Sequence, residues 1–297
     1  MILLSSLLFG SYGVWSLLMG DKFGVFYQGW VRSVIVLLLL IPLVLITKSY
    51  KPVERSDIKW LLLPVLFGIA TQAPLYYAFN HTSIGTATLL FYGMYIIASF
   101  LTGRLIMKEP ITLTKLTAML LSFIGLAFVF QVSLATFSLL ALALAGINGI
   151  ASGVEVSSTQ KSTLTYPTLQ VTTYAWIGIL VTHLPLSLLT NEKQWIPALS
   201  IQWYAMGAYA LAGMLAFYLV VEGFKYVDAS IGSLIGLLEV IWGILFGVWF
   251  FHEHAGLSVL VGSIFILTAG FLPNIVNLLN YRKHKPAVEH VLEHTTI

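Results

Sequence analysis

Long apolar runs separated by short polar segments dominate the chain. Each run is about 20 residues long, the length that an α-helix needs to cross a bilayer, whereas the strands of a membrane β-barrel alternate in polarity over about 10 residues. Charged and turn-forming residues cluster between the runs. The pattern predicts ten membrane-spanning helices, near residues 2–20, 28–47, 58–79, 84–106, 113–131, 136–158, 168–189, 201–224, 229–251 and 256–279.

Composition excludes most other classes of protein. Only 9% of the residues are charged and 58% are hydrophobic, whereas soluble domains carry about 25% charged residues. A single soluble core could not hide so much apolar surface. The first apolar run follows no basic residue and has no clear cleavage site, so we expect a span there and not a cleaved signal peptide. The expected fold class is therefore an all-α integral membrane protein.

Lys and Arg in the short loops predict the orientation, because these residues are enriched on the cytoplasmic side of membrane proteins. With the N-terminus inside, the outer loops carry only Lys22 and Lys193. We therefore expect a multi-pass protein of the cell membrane (the inner membrane in a bacterium) with both termini in the cytoplasm. The inner loops and the tail then carry Lys48, Lys51, Arg55, Lys59, Arg104, Lys108, Lys115, Lys161, Lys225, Arg282, Lys283 and Lys285.

Two stretches of the chain resemble each other at an offset of 144 residues. Segments 78–130 and 223–271 both run from a short polar loop through a long apolar span to a glutamate, Glu109 or Glu253, and then into a further span. A unit of five spans is odd, so its second copy enters the membrane from the opposite face. This predicts two inverted five-helix repeats, 1–131 and 132–281, followed by a cytoplasmic tail, 282–297. Inverted repeats are typical of secondary transporters, which bind substrate near the midplane between the halves.

Several motifs recur in a definite order up to about residue 280. They are Gly10 in the first span, Arg32 at the start of the second, the stretches 83–90 and 229–237, Glu109 and Glu253, and Leu238-Glu239 in the ninth span. With these motifs the chain resembles the drug/metabolite transporter superfamily, and in particular its ten-span exporters of the EamA type. The resemblance implies carrier-mediated movement of small metabolites, commonly export, without ATP hydrolysis. The sequence agrees on the last point, since it contains no Gly-x-x-x-x-Gly-Lys phosphate-binding loop.

Glu239 stands at the centre of the ninth predicted span. A charge at this depth costs roughly 3 kcal/mol or more unless it faces a cavity or a partner, so an intramembrane carboxyl is a functional candidate by default. It could exchange a proton or bind a cationic group; the alternative is a neutral, hydrogen-bonded packing residue. Tyr95 lies at the 144-residue offset from Glu239 and would face it across the axis between the halves.

Aromatic side chains near these positions could form the wall of a substrate cavity. Phe91, Tyr92 and Tyr95 form an aromatic group in which Phe91 and Tyr95 share a helical face, and Trp242 lies one turn from Glu239. Such rings can stack a planar or cationic group, although ordinary packing is the alternative for each of them. The other wall candidates are Tyr12 and Trp15 in the first span, Gln72 and Tyr76 in the third, Asn148 in the sixth and Trp176 in the seventh. Pro74 frees a backbone carbonyl one turn earlier in the third span, which a neighbour or a cavity must satisfy.

Two further ionisable residues lie inside predicted spans. Arg32 could pair with Glu239, bind a substrate carboxylate through its bidentate fork, or snorkel to the outer interface. Glu155 is a second candidate for proton coupling, or else a hydrated carboxyl paired with Lys161. We expect no metal site, because the two histidines of His252-Glu253-His254 do not share a helical face and no third ligand is near.

Glycines four residues apart allow helices to approach closely or to slide. We interpret them as the seam on which the two halves rock, and static packing is the alternative. The pairs are Gly232 and Gly236, Gly243 and Gly247, and Gly149 and Gly153.

Together these features predict a secondary active transporter that exports small organic solutes, such as amino acids or related metabolites, by alternating access. A broad-specificity extruder of drugs or cations is the alternative within transport; an intramembrane enzyme or a channel is the alternative outside it. An enzyme would need a constellation such as paired aspartates or a Ser/His dyad on the spans, and none is visible, so we expect no catalytic residues. The expected partners are the solute and membrane lipid. We expect no nucleic acid, no cofactor and a monomeric protein.

Overall fold

The computed structural model describes residues 1–71, 73–131 and 138–294, and for 281–294 it describes the backbone alone. All regular structure in these residues is helical, as the apolar pattern predicts. A 3-10 turn at Gly20–Lys22 joins α2 to α3. The helices are α1 (Ile2–Gly10), α2 (Tyr12–Met19), α3 (Val25–Ile46), α4 (Ile58–Ile69), α5 (Ala73–His81), α6 (Ile84–Ile106), α7 (Leu113–Phe130), α8 (Leu139–Thr163), α9 (Thr168–Leu189), α10 (Ile201–Gly223), α11 (Ala229–Gly236), α12 (Leu238–Phe251) and α13 (Leu257–His294).

Ten candidate membrane spans lie in the described part of the chain, which confirms the prediction. Helices α1 and α2 form the first span, α4 and α5 the third, and α11 and α12 the ninth; each remaining helix is a span, α13 as far as Asn280. The sixth span departs most from its predicted bounds, because α8 continues to Thr163. Its polar last turns, which include Ser157 and Gln160, are buried against neighbouring helices.

The main contacts between helices follow the repeat: where two spans are in extensive contact, their equivalents in the other half are also in contact. Helix α1 packs against α12 and α10, and its equivalent α8 packs against α6 and α4. Likewise α3 packs against α10 as α9 packs against α4, while the pairs α3–α9 and α7–α13 map onto themselves. This is the packing that a twofold relation between two five-span halves produces.

Glycines bring backbones into direct contact within this arrangement. A Cβ atom at Gly125 in α7 would lie 2.8 Å from the carbonyl oxygen of Gly262 in α13. In α8, Gly149 lies against the carbonyl oxygen of Phe91, and Gly153 lies against the next turn of α6. The pairs α7–α13 and α6–α8 are therefore held at short range by residues that have no side chain.

The loops gather on two faces of the bundle, and we call the one that carries Met1 the terminal face. There Ile2 packs against Gly223 at the end of α10. The segment after α3 also meets the start of α9, where the Lys51 backbone N–H donates to Gln170 Oε1 at 2.9 Å. The predicted orientation places this face in the cytoplasm.

The opposite face is tied together near the start of α3. The Glu192 carboxylate accepts hydrogen bonds from the backbone N–H groups of Phe26 at 3.1 Å and Tyr27 at 2.6 Å. A carboxylate is favourable at a helix N-terminus, because the first N–H groups of the helix have no partner within it. Glu192 thus fixes the loop between α9 and α10 to the start of the second span.

Candidate functional site

Three spans deviate from a regular α-helix along their length. Ser11 separates α1 from α2, Leu237 separates α11 from α12, and the third span is broken between α4 and α5. Because α1 packs against both α11 and α12, the deviations at Ser11 and Leu237 lie in neighbouring spans. Ser11 and Leu237 keep right-handed helical backbone angles, so the first and ninth spans deviate at one residue and remain continuous helices. The ionisable Glu239 lies beside both deviations, and an intramembrane carboxyl is a functional candidate, so this region is the candidate site.

Glu239 lies in the first turn of α12, directly after the deviation at Leu237, and is half-buried. The hydroxyls of Tyr92 and Tyr95 in α6 and of Tyr12 in α2 lie within electrostatic range of its carboxylate. The ion pairs within the described residues are Lys115–Asp228 and Lys225–Glu222, so Glu239 has no basic partner there. The carboxyl is surrounded by phenol groups and is free to take up a proton or a cation.

Tyr95 faces the ninth span as the repeat predicts. Its side chain is buried, and its hydroxyl lies 3.3 Å from the position that a Cβ atom at Gly236 would occupy. Phe91 stacks near it on the same helix, with the ring centroids 6.4 Å apart and the planes at 27°. These two rings and Tyr92 form an aromatic wall beside Glu239.

Arg32 lies apart from Glu239, in α3. The residue is 4% exposed, so other side chains of the protein enclose it, and it forms no ion pair with a described carboxylate. Its guanidinium carbon lies 4.1 Å from the centroid of the Tyr209 ring, and its Nε donates to the Gln28 carbonyl at 3.3 Å. The buried guanidinium is thus held by a cation–π contact and has donors left for an anionic group.

Tyr12 connects the two charged positions. Its ring meets the Tyr209 ring edge to face at 4.3 Å, and its hydroxyl lies 2.6 Å from where a Cβ atom at Gly213 would stand. Both Arg32 and Glu239 act on the Tyr12 hydroxyl electrostatically. A basic and an acidic group therefore both lie within electrostatic range of one tyrosine hydroxyl.

Trp176 completes the Arg32 side of this region. Its ring lies 3.6 Å from the Cβ position at Gly213, beside the Tyr12 hydroxyl. The residue is 6% exposed, and its indole Nε1 has no hydrogen-bond partner among the described residues. A buried indole donor without an acceptor is available to a bound solute.

Glu155 faces the same region from α8. It is buried against Gly68 of α4, and it acts electrostatically on the Tyr12 and Tyr95 hydroxyls. Lys161, its expected alternative partner, lies instead over the Trp60 ring at 5.8 Å. Glu155 is therefore a second carboxyl of the site and not a member of an ion pair.

The break in the third span explains the position of Asn148. Pro74 stands in the first turn of α5 and cannot bond to the Ala70 carbonyl one turn earlier. With its amide oriented to donate, Asn148 of α8 bonds to the Ala70 carbonyl at 3.1 Å and to the Thr71 carbonyl at 2.9 Å. This buried amide thus satisfies the carbonyls that the break releases.

The remaining wall candidates lie in several environments. Trp15 donates from Nε1 to Ser11 Oγ at 3.0 Å, at the deviation in the first span. Trp242 packs against Gly10 of α1, and Tyr76 of α5 is 52% exposed. Gln72 lies outside the described residues. Trp15 and Trp242 thus border the deviations in the first and ninth spans, whereas Tyr76 points away from the packed centre.

Tyr209 was not predicted as a wall residue, and Tyr92 was predicted only as one member of the aromatic group Phe91-Tyr92-Tyr95. Tyr92 stands three residues before Tyr95, and this spacing on one helical face is a signal that could have identified it. Tyr209 has no comparable signal, because it is one aromatic residue among many in an apolar span. Only its contact with Arg32 reveals it.

Comparisons with known proteins agree with this architecture. The sequence model of the EamA-like transporter family matches residues 1–131 and 136–274. A protein named as an uncharacterized transporter from Helicobacter pylori (strain J99) is 24% identical over 294 residues, which cover 95% of this chain and 96% of that protein. A solved crystal structure whose description states no function superposes with a TM-score of 0.75 at 15% identity, covering 93% of this chain and 96% of that one.

The family match extends over most of the chain. It comes from the sequence, and it agrees with the ten apolar helices of the structure. The crystal structure supports the fold alone, while the family match and the relative also indicate membrane transport. Ten apolar spans agree with a multi-pass membrane transporter. The chain therefore belongs to the EamA-like transporter family.

Proposed function

We propose that this protein is a secondary transporter that exports small zwitterionic solutes, such as amino acids, by alternating access between its two halves. One observation carries the proposal: two charges of opposite sign, the buried Arg32 and the half-buried Glu239, both act electrostatically on the Tyr12 hydroxyl and form no ion pair among the described residues. Unpaired charges inside a membrane are costly, so they are retained where a solute or a proton completes them.

A zwitterion complements both ends of this region. Its carboxylate would accept hydrogen bonds from the Arg32 guanidinium, whose planar fork suits a bidentate contact. Its ammonium would point toward Glu239 and the surrounding tyrosine rings, which stabilise a cation through their π faces. A solute lying on the Tyr12 ring would be within electrostatic range of both charges.

Glu239 also supports coupling to protons. Its half-buried carboxyl lies within electrostatic range of the Tyr92 hydroxyl and forms no ion pair among the described residues. When the site opens to one side, water or an ammonium group can reach the carboxyl and favour its ionised form; when the site closes, the neutral form is favoured. Alternating exposure would therefore exchange a proton for a cationic group.

The second candidate is a broad extruder of organic cations. The aromatic wall of Phe91, Tyr92 and Tyr95 beside Glu239 favours it, because it needs no carboxylate on the solute. The two functions differ in what they require of Arg32. Only the transport of zwitterions needs a guanidinium that binds a carboxylate.

Purified protein in proteoliposomes separates the two functions. Radiolabelled amino acids are screened for saturable uptake, and the amide and the deaminated acid of each transported amino acid are tested as competitors. We expect the intact amino acid to compete best and Arg32→Gln to weaken its uptake roughly tenfold, the effect of losing about 1.4 kcal/mol of interaction. Arg55→Gln, in an exposed loop, is the matched control. If the amide competes equally well and Arg32→Gln has no effect, the protein is a cation extruder.

A further inference from the structure

On the terminal face, an ion pair joins the two halves. Lys115 Nζ of α7 lies 2.6 Å from Asp228 Oδ2, in the segment between α10 and α11, and also donates to the Pro110 carbonyl at 3.0 Å. The Lys115 side chain is 6% exposed and that of Asp228 is 42% exposed, so water and solutes can reach the pair from the acid side. We call the Lys115–Asp228 pair the lock.

Glu109 reinforces the lock beside it. Its buried carboxylate accepts hydrogen bonds from the Ala229 N–H at 2.6 Å and the Ser230 N–H at 3.5 Å, at the start of α11. A carboxylate of the first half therefore caps a helix of the second half. These contacts join the two halves at the terminal face.

Among the described residues, the opposite face has no ion pair equivalent to the lock, and the two halves meet there through the Glu192 carboxylate at the start of α3. At the repeat offset, Lys115 and Asp228 correspond to Val259 and Ile84, which cannot form an ion pair. Glu253, the equivalent of Glu109, is exposed and lies against Gly247 of its own span. Among the described residues, the lock is thus peculiar to the terminal face.

A cavity of about 360 Å³ adjoins the lock, and Asp228 forms part of its wall. Gln160 of α8 is 9% exposed and also lines it; its Nε2 donates to the Val227 carbonyl at 3.3 Å, while its buried Oε1 has no hydrogen-bond partner among the described residues. Such an acceptor is costly to bury unless a donor reaches it. The other polar lining residues are Lys225, Asn274 and Asn277.

The chemistry of this lining fits a solute with an ammonium group. The Asp228 carboxylate and the side-chain carbonyls of Asn274 and Asn277 are acceptors in the lining, and a primary ammonium has three donors. The buried Gln160 Oε1 is a further acceptor, which the side chain would present to the ammonium by turning toward the cavity. Lys225 is already paired with Glu222 at 2.6 Å, but its charge at the same cavity suits the carboxylate of a zwitterion.

We propose that this cavity is a second, recruiting site for the transported amino acid, and that an ammonium bound to Gln160 and Asp228 competes with Lys115 and loosens the lock. The inference rests on the proposed function for the identity of the solute. A solute that binds the opened state more tightly shifts the equilibrium toward it, and one that draws Asp228 from Lys115 has that preference.

The chain contains no cysteine, so one introduced cysteine reports on the lock. Ser233 of α11 is fully buried, and Ser233→Cys should react with a water-soluble thiol reagent only when the terminal face opens. In the full-length protein in detergent, 10 mM L-alanine should increase the reaction rate several-fold. Propionate, which lacks the ammonium, should not.

Variants then assign this effect to the cavity. When Gln160→Leu is combined with Ser233→Cys, the response to L-alanine should disappear. When Gln160→Glu is combined with it, the response should remain and should need less L-alanine, because a second acidic group attracts the ammonium. Lys115→Met should give fast labelling with or without L-alanine. Equal responses in the wild-type and Gln160→Leu backgrounds, or no response in a protein that transports L-alanine, would overturn the recruiting site.

The experiment also separates this inference from the proposed function. The labelling series is repeated with Glu239→Gln, which alters the central site and leaves the cavity intact. A response that persists in Glu239→Gln and disappears in Gln160→Leu supports the cavity even if transport assays contradict the proposed function. Transport of L-alanine with an unchanged response in Gln160→Leu contradicts the cavity alone.

Discussion

At the scale of single residues, the site depends on charges that have few protein partners. Glu239 meets tyrosine hydroxyls, and Arg32 meets the face of Tyr209 and one backbone carbonyl. Neither contact neutralises a full charge as an ion pair would. Both residues therefore keep the capacity to respond to a solute or a proton.

Replacing Glu239 by Gln keeps the shape of the side chain and most of its hydrogen bonding but removes its titration. If Glu239 couples transport to protons, Glu239→Gln should abolish uptake driven by a pH gradient and leave exchange of solute for solute. Uptake into proteoliposomes with and without a pH gradient measures this. Glu253→Gln, at an exposed carboxyl, is the control; normal pH-driven uptake by Glu239→Gln would show that the carboxyl is structural.

The Glu109 carboxyl gives the lock a predictable dependence on pH. Burial raises its pKa above the ordinary value and Asp228 adds to this, while the Ala229 N–H and Lys115 oppose it. Hydration of Glu109 on opening would lower its pKa again, so the closed state binds more protons between the two pKa values. Raising the pH through that interval should therefore favour opening.

Thiol reaction at Ser233→Cys, measured from acid to neutral pH, tests this dependence. The same series with Glu109→Gln corrects for the ionisation of the thiol itself, because Gln does not titrate. We expect a steeper rise of the rate with pH when Glu109 is present. Parallel curves would mean that Glu109 does not control the opening.

A site residue can be recognised in the sequence when its charge or polarity differs clearly from that of the apolar residues around it. Glu239 and Arg32 are conspicuous because charges are rare in apolar runs, so both could be identified from the sequence alone. Tyr92 could be identified from its spacing to Tyr95, whereas Tyr209 could not, because it differs little from other aromatic residues of the spans. The role of Asn148 depends on carbonyls that are released only when the third span breaks.

At the scale of helices, apolar length predicts the spans but not where they deviate from a regular helix. Pro74 marks the break in the third span, whereas Pro42 and Pro185 lie inside helices that continue. The deviations at Ser11 and Leu237 have no proline at all. Packing between neighbouring spans, which sequence periodicity does not contain, decides where a helix deviates.

Two glycines of α8 provide a matched test of helix packing. A Cβ atom at Gly149 would collide with the Phe91 carbonyl oxygen, whereas one at Gly146 would lie 3.6 Å from the flexible Met94 side chain. Gly149→Ala should therefore lower the thermal unfolding temperature by several degrees, and Gly146→Ala should leave it nearly unchanged. Equal effects of the two substitutions would contradict the close α6–α8 contact.

The glycines of the predicted seam share a spacing in the sequence, but they differ in how closely neighbouring helices approach them. Gly149 and Gly153 lie against the backbone of α6, which suits static packing. Gly243 has room for a Cβ atom, whose nearest atom would be the Gly10 carbonyl oxygen at 3.7 Å. Looser contacts of this second kind, beside the site, are the better candidates for movement between the halves.

At the scale of the whole molecule, the repeat in the sequence predicts which spans are equivalent in the two halves. The offset between Glu109 and Glu253 predicts equivalent spans, and the main contacts between helices follow this equivalence. The differences between the halves were not predictable from the repeat. Closure by Lys115 and Asp228 depends on two positions whose equivalents, Val259 and Ile84, are apolar.

The orientation of the whole molecule is a separate prediction from the loop charges. A cysteine at Asn191, on the opposite face, should react with an impermeant thiol reagent in intact cells, and one at Lys283 should react only after the cells are permeabilised. The absence of native cysteine makes the unmodified protein a clean control. The reverse labelling pattern would place the terminal face outside the cell.

Counterflow tests the central claim, that two halves alternate around one solute site, most directly. Proteoliposomes are loaded with an unlabelled amino acid that the protein transports, and a trace of the labelled form is added outside. A carrier that alternates should accumulate label transiently above its equilibrium level. Each unlabelled molecule that is carried out leaves the site open to the outside, where it binds a labelled molecule and carries it in. Glu239→Gln should retain this overshoot if its role is proton coupling. Label that only approaches equilibrium, at a rate that does not saturate, would identify a channel and contradict the account.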